Sequence, residues 1–291
     1  MKKYGFIYNP AARRNRETNV DILSKFVEQL PGSKIYYSES REHISELIAK
    51  IYNDFEVIVA CGGDGTIREV ASQLIGKEKT LGIIPLGTGN DLSKTLKIPG
   101  DVTAALKLLL NGRTIKIDVG QCNDFIFLNS LGFGFDGLTN FYAHQMEWLP
   151  PTLQYVIAAL RSNLHHKPFR LKITTEDKTS IDQNLIMATL ANGRVEGGSF
   201  WIAPEASMTD GKLNLITIRP ISRWLIPLLL PLFLLKRGSW IPHVSVQEVE
   251  RITLSFEDEI AIHADGEILY SNLKEFHISL RTSELDVICG M

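Results

Sequence analysis

Val57-Ile58-Val59-Ala60-Cys61-Gly62-Gly63-Asp64-Gly65-Thr66-Ile67-Arg68-Glu69-Val70 is the stretch on which the fold turns. Its five leading apolar residues read as a buried strand, and Ile67 and Val70 begin the apolar face of a helix. Between them stand three glycines in five positions, more than a tight strand-to-helix turn needs. Glycine lets a backbone approach an anion, and a helix start offers free N–H groups and a positive dipole end. A second bend repeats the pattern, with Leu81-Gly82-Ile83-Ile84 leading into Pro85-Leu86-Gly87-Thr88-Gly89-Asn90-Asp91. Each bend carries an Asp, which repels phosphate unless a divalent cation lies between them. The pair is therefore expected to cradle phosphate in a metal-nucleotide site.

Working outward, strand-like runs at 3–8, 33–37, 56–61 and 81–84 alternate with helix-like runs at 19–30, 41–52, 67–75 and 102–110. That alternation predicts a doubly wound α/β domain with a parallel sheet and ligands at the carboxyl ends of its strands. After Lys116 short β-rich runs take over, at 115–119, 125–129, 169–174, 184–191, 212–218, 251–256, 259–264 and 276–280, with one amphipathic helix at 153–164. This half reads as an antiparallel sandwich or barrel. The expected division is an α/β nucleotide-binding domain over 1–122 and a β-sandwich-like domain over 123–291. The last residues are expected to pack back on the first domain, and the active site to lie in the interdomain cleft.

Composition narrows the class. Of 291 residues, 44% are hydrophobic and 22% charged, as in ordinary folded domains, and the formal net charge of −2 gives no footprint for nucleic acid. Cys61, Cys122 and Cys289 are far apart and fit no zinc spacing, so each is expected to be a small buried hydrophobe. The N-terminus, Met1-Lys2-Lys3-Tyr4, is too short for a signal-peptide core before the first strand. The apolar run 224–235, flanked by Arg223 and Lys236-Arg237, is about half the length of a spanning helix and holds Pro227 and Pro231. Two readings of it stay open, packing on the core or interfacial contact with lipid.

Neither a G-x-x-x-x-G-K-[ST] loop nor the protein-kinase catalytic set occurs. Gly132-Phe133-Gly134-Phe135-Asp136-Gly137 has the G-x-G-x-x-G spacing, but no acidic residue follows where a ribose would need one. It is read as a glycine-phenylalanine turn packed against the cleft. Asp265-Gly266 is expected to form a type I′ hairpin turn between 259–264 and 268–270, which sets Glu267 at the tip as a candidate general base. Asp210-Gly211 reads as a turn or as a cation ligand, and Asn9-Pro10 as the end of the first strand.

Together, residues 62–70, residues 85–92 (Pro85 through Asp91-Leu92) and the late Asp265-Gly266-Glu267 resemble the diacylglycerol kinase catalytic family, above all its soluble bacterial lipid kinases. Sphingosine kinases are more distant, and NAD kinases share the first motif only. The resemblance extends to Asn192-Gly193, Gly197-Gly198 and Pro204-Glu205-Ala206. It implies an ATP site lined by Asn9, Pro10, Ala11, Ala12, Arg13, Ser38, Gly62, Gly63, Gly65, Thr66, Ile67, Arg68, Glu69 and Thr88. Asp64 and Glu267 would be catalytic, Glu267 as proton acceptor, with Asp91 and Asp118 helping to position Mg²⁺. Ser207, Asp210 and Lys212 would hold a structural magnesium, Ser207 and Lys212 through their carbonyls. Two departures stand out, Ala11-Ala12-Arg13-Arg14-Asn15 where a glycine usually follows Asn-Pro, and Arg68 where Asn is usual.

The implied reaction is transfer of the γ-phosphoryl of ATP to a lipid hydroxyl, with diacylglycerol as the first expected acceptor. Phe133, Phe135, Trp148 and Leu149 are expected along the lipid path. Rival readings are an NAD kinase-like phosphorylation of a small molecule and a catalytically silent nucleotide- or lipid-binding regulator. The expected setting is cytoplasmic, peripheral at the inner membrane face, with a lipid partner, no nucleic acid, no transmembrane span, and a homodimer left open.

Overall fold

A computed structural model describes residues 2–12, 16–146, 148–269 and 273–290. The chain divides into two compact units, one formed by Met1–Ile117 with Ser283–Met291 and the other by Asp118–Thr282. In the first unit β1 (Tyr4–Tyr8), β2 (Lys34–Tyr37), β3 (Val57–Gly62) and β4 (Thr80–Pro85) alternate with α1 (Arg16–Glu28), α2 (Arg41–Ile51), α3 (Asp64–Ser72), α4 (Asp91–Thr95) and α5 (Val102–Asn111). β5 (Arg113–Cys122) then carries the chain into the second unit.

The strands of the first unit run parallel in the order β2-β1-β3-β4. Every residue of β1 and β3 is buried, as two-faced coverage by helices requires, which is why Val57 to Cys61 read as an unbroken apolar run. Helix α2 packs on α3, and α1 on α5. The end of the last strand, β16 (Glu275–Cys289), adds beside β4 with Asp286 opposite Thr80 and Val287 opposite Leu81.

The second unit is a sandwich. Its strands are β6 (Phe125–Phe127), β7 (Ser130–Gly134), β8 (Phe169–Thr175), β9 (Ser180–Leu185), β10 (Met187–Ala191), β11 (Leu213–Ile218), β12 (Val244–Val249), β13 (Arg251–Phe256), β14 (Ile262–Ala264), β15 (Glu267–Leu269) and the first part of β16. Helices α6 (Phe135–His144), α7 (Pro151–His165) and α8 (Ile226–Leu234) interrupt them. One antiparallel sheet has the order β12-β11-β10-β7-β14-β15, and the other runs β16-β13-β8-β9. Strands β8 and β13 bury alternate residues, as a sheet wet on one face must. Phe133, Phe256 and Phe276 meet in the core between the sheets, Phe133 stacked on Phe256 at 5.2 Å.

Several expectations change here. Residues 184–191 are two strands joined at Ile186, β9 pairing with β8 and β10 with β7 and β11. Residues 132–137 form no turn. Gly132 and Gly134 end β7 while Phe135, Asp136 and Gly137 open α6. A side chain at Gly132 would collide with Asp136 Oδ2 and His263 Nε2, so close packing explains that glycine without a dinucleotide. All three cysteines are free and buried, and burial pushes the Cys122 thiol up to about 12.

Candidate active site

Register along the parallel sheet of the first unit brings its predicted residues to one edge. Tyr8 lies opposite both Tyr37 and Cys61, and Cys61 opposite Ile84, so the four strands end together. The ladder runs on past those ends. Asn9 donates its N–H to the Cys61 carbonyl, Ser38 to Tyr8, and Leu86 to Gly62. Asn9 then fixes its own loop, its Nδ2 donating to Thr66 Oγ1 at 2.8 Å and its Oδ1 accepting the Ala11 N–H at 2.9 Å. Ser38 is buried beneath this edge.

The two glycine bends touch. A Cβ built on Gly87 would stand 2.5 Å from the Cα of Gly63, a distance no side chain tolerates. Asp64 clasps them from the other direction, Oδ2 accepting the Asn90 N–H at 2.7 Å and Oδ1 the Asp91 N–H at 2.8 Å. The carboxylate expected to face a metal is thus first a brace between the bends. Helix α3 starts at Asp64, earlier than the apolar pattern indicated, because Gly63 is the extended residue before it. No side chain caps Gly63. First-turn N–H groups of such a helix are the donors an anion takes.

Asn90 escaped the sequence reading. It holds a left-handed backbone (φ 53°) and closes the second bend on itself, its Oδ1 accepting the Gly87 N–H at 3.1 Å and its Nδ2 donating to the Gly87 carbonyl at 2.9 Å. The available signal was residue type, since Asn is among the few residues that tolerate that conformation. Thr88 is exposed between these anchors, and the side chain of Glu69 accepts a hydrogen bond from Ser45. Arg13 lies outside the described residues.

In the second unit, Asp265 (φ 49°) and Gly266 (φ 81°) form the two-residue loop of the β14–β15 hairpin, matching the expected type I′ turn. The Asp265 carboxylate accepts the N–H groups of Leu128, Asn129 and Ser130 at 2.7 to 3.0 Å. Gly266 donates its N–H to His263 Nδ1, and its carbonyl lies 2.6 Å from His144 Nε2. Glu267 therefore follows a turn anchored on three sides.

His263 also joins a buried group that the sequence did not reveal. With Nδ1 accepting from Gly266, its Nε2 carries the proton and faces Asp136 Oδ2 at 3.1 Å and Glu196 Oε1 at 3.9 Å. Thr189 donates to Asp136 at 2.5 Å. Burial alone would raise the Asp136 pKa. The facing His263 and hydrogen bonding with His263, Thr189 and Glu196 outweigh it and hold the carboxyl below its ordinary value. Ligand atoms of Asp136, Glu196 and His263 lie within 4.8 Å of one another, but with its proton on Nε2 the imidazole presents an N–H, not a lone pair, to the two carboxyl groups. Asp136 and Glu196 are also among the lining of an otherwise mainly apolar cavity of about 80 Å³, walled by Phe135, Met187, Ile226 and Phe233 among others. Phe135 lines this cavity. Phe133 does not, because strand alternation turns it into the sandwich core. Trp148 is exposed on the loop before α7.

Asp118 is buried, its Oδ2 accepting the Gly211 N–H at 2.9 Å and its N–H bonding the Met208 carbonyl, so the 207–212 loop wraps around it. Asp210 is exposed and takes the Lys212 N–H at 3.1 Å, whereas the Lys212 ammonium goes to Glu248 at 2.5 Å. An exposed carboxylate on a carbonyl-rich loop is the donor chemistry a hard cation takes.

Comparison with known proteins accords with both units. The diacylglycerol kinase catalytic domain model matches residues 3–122, and that of the YegS C-terminal NAD kinase beta sandwich-like domain matches 129–283, more than half of the chain. A protein of Citrobacter koseri named as a probable YegS-like lipid kinase is 32% identical over 277 residues, 93% of this chain and 87% of the relative. The chain belongs to the diacylglycerol kinase and YegS-like lipid kinase family. Another member, the diacylglycerol kinase of Bacillus subtilis, is 28% identical over 278 residues, 92% of this chain and 90% of its own. The crystal structure of a Bacillus anthracis diacylglycerol kinase shares the two-unit fold with a TM-score of 0.75 at 21% identity, covering 99% of this chain and 97% of that one. The kinase family thus accounts for the α/β unit and the sandwich together.

Proposed function

We propose that this family member transfers the γ-phosphoryl of ATP to the hydroxyl of a membrane lipid, with diacylglycerol as the acceptor. The observation that carries the acceptor class is the cavity in the second unit, mainly apolar along its walls, with Asp136 and Glu196 among its few polar lining residues. Beside Asp136, His263 leads by one hydrogen bond to the turn before Glu267. Acyl chains would occupy the apolar walls, and Glu267 would take the proton from the attacking hydroxyl. NAD, a polar dinucleotide, has little use for such walls, which favours a lipid over the NAD kinase reading.

Phosphoryl transfer asks the protein mainly for positioning and charge neutralisation. The N–H groups opening α3 and the backbone of residues 87–90 would hold phosphate oxygens of ATP, with Asn9, Ser38 and Thr88 lining the nucleotide. Asp64 would keep the two bends in register. A bound Mg²⁺ would neutralise triphosphate charge, with Asp64 and Asp91 as the acidic residues of the two bends that would hold it, and a second would suit Asp210 with the Ser207 and Lys212 carbonyls.

The test is labelled ATP with the full chain and a panel of diacylglycerol, ceramide-type lipid, long-chain base and NAD in mixed micelles. Diacylglycerol should be labelled and NAD not, and Glu267→Gln should lower turnover by about 10² to 10⁴ while thermal unfolding stays unchanged. Labelling of NAD alone, or wild-type turnover in Glu267→Gln, would overturn the reading.

A further inference from the structure

We propose that the outer face of α8, with the 3-10 turn Gly238–Trp240 beside it, is the surface on which the protein docks to an anionic phospholipid bilayer. The inference deepens the lipid-kinase reading and rests on it for the purpose of docking, which is access to a water-insoluble acceptor.

Helix α8 is apolar on every side. Ile226, Leu229, Leu230 and Phe233, spaced i, i+3, i+4, i+7, wall the cavity. Trp224, Pro227, Leu228, Pro231 and Leu235, spaced i, i+3, i+4, i+7, i+11, take the opposite face and point to water. Trp224 is 87% exposed, Leu228 72%, Leu235 62% and nearby Trp240 68%. Large apolar side chains gathered this way mark an interaction surface, because scattered single ones carry no such spacing.

Charge selects the occupant. Residues 219–243 carry Arg219, Arg223, Lys236 and Arg237 and no Asp or Glu, in a chain whose net charge is −2. The Lys236 ammonium sits 3.7 Å over the Trp201 ring and the Arg237 guanidinium 4.5 Å over Trp240. Amphipathic indoles with cations at their rims are what the headgroup layer of a membrane favours. Depth follows from the backbone. Among the described residues no helix is long and apolar enough to cross a membrane. Pro231 also removes the N–H that the Pro227 carbonyl would accept, a carbonyl that the hydrated headgroup zone can satisfy and hydrocarbon cannot. Helix α8 therefore lies in the interface with its outer face dipped and its inner face on the cavity.

The experiment is sedimentation of the full chain, without ATP, with vesicles of phosphatidylcholine alone or mixed with phosphatidylglycerol. Binding should appear on the anionic vesicles and weaken with salt. Trp224→Ser/Leu228→Ser should lower it on the order of tenfold or more, and Lys236→Gln and Arg237→Gln about fivefold each on anionic vesicles only. These side chains lie outside the proposed site, so thermal unfolding and phosphorylation of a short-chain diacylglycerol dissolved as monomers should match wild type. Absence of wild-type binding, or variants that bind as wild type does, would overturn the docking surface. So would a dimer that Trp224→Ser/Leu228→Ser dissolves while vesicle binding stays at background. Short-chain turnover without vesicle binding removes docking and leaves the kinase reading; vesicle binding with no lipid phosphorylated leaves docking and removes the acceptor.

Discussion

Gly87 shows how little room the nucleotide edge leaves at the scale of one residue. Its Cα faces that of Gly63 with no space for a methyl group, and the neighbour is backbone, which cannot rotate aside. Gly87→Ala should therefore separate the bends, costing about 1–3 kcal/mol of stability. ATP affinity, measured by calorimetry, should fall by at least tenfold even where the variant remains folded. Asp136 supplies a different prediction. Its folded pKa lies below the unfolded value of about 3.9, so the stability it contributes is complete above that value and is lost as pH falls through the folded pKa. Thermal midpoints should be insensitive to this group between pH 5 and 7, on the order of two units of flat profile, and should drop in acid. Asp136→Asn should flatten that acid limb. Both residues were quoted in glycine-rich motifs from the sequence, but neither contact was legible there, because Gly63 and the partners of Asp136 lie at a distance in the chain.

Elements carry these residues with unequal legibility. The alternation of parallel strands with helices in the first unit was plain, since β3 is an unbroken apolar run and α2 has a periodic apolar face. In the second unit, β7 and α6 hid inside 130–144, where glycines and phenylalanines mimic a turn and the strand-to-helix joint has no polar cap. The β14–β15 hairpin was legible from Asp-Gly, but its anchoring was not. Asp265 accepts three amides from residues 135 to 137 positions away. Asp265→Ala leaves those donors without their acceptor and should cost several kcal/mol, about 1–3 per buried unsatisfied group. If Glu267 is positioned by this turn, kcat should fall more than KM rises, and Asp265→Asn should recover part of the loss.

At the scale of the whole molecule, the chain closes its first unit with its last strand. Asp286 and Val287 return to pair with β4, Gly76 donates its N–H to the Glu284 carbonyl, and Gly290 donates to Leu96. Deleting 283–291 should bare the β4 edge and unfold the first unit at lower temperature. Calorimetry would show this as an early transition, and unchanged unfolding would argue against the dependence. What the amino-acid order determined alone was the α/β-then-β organisation, the two glycine bends and the type I′ hairpin. Those features are written in near neighbours, where backbone conformation and burial leave a local imprint. The contact of Gly63 with Gly87, the meeting of Asp136, Glu196 and His263, and the cavity behind α8 were decided only by tertiary structure. Each joins positions far apart in the chain, and packing, not local propensity, selects which distant side chains share a volume.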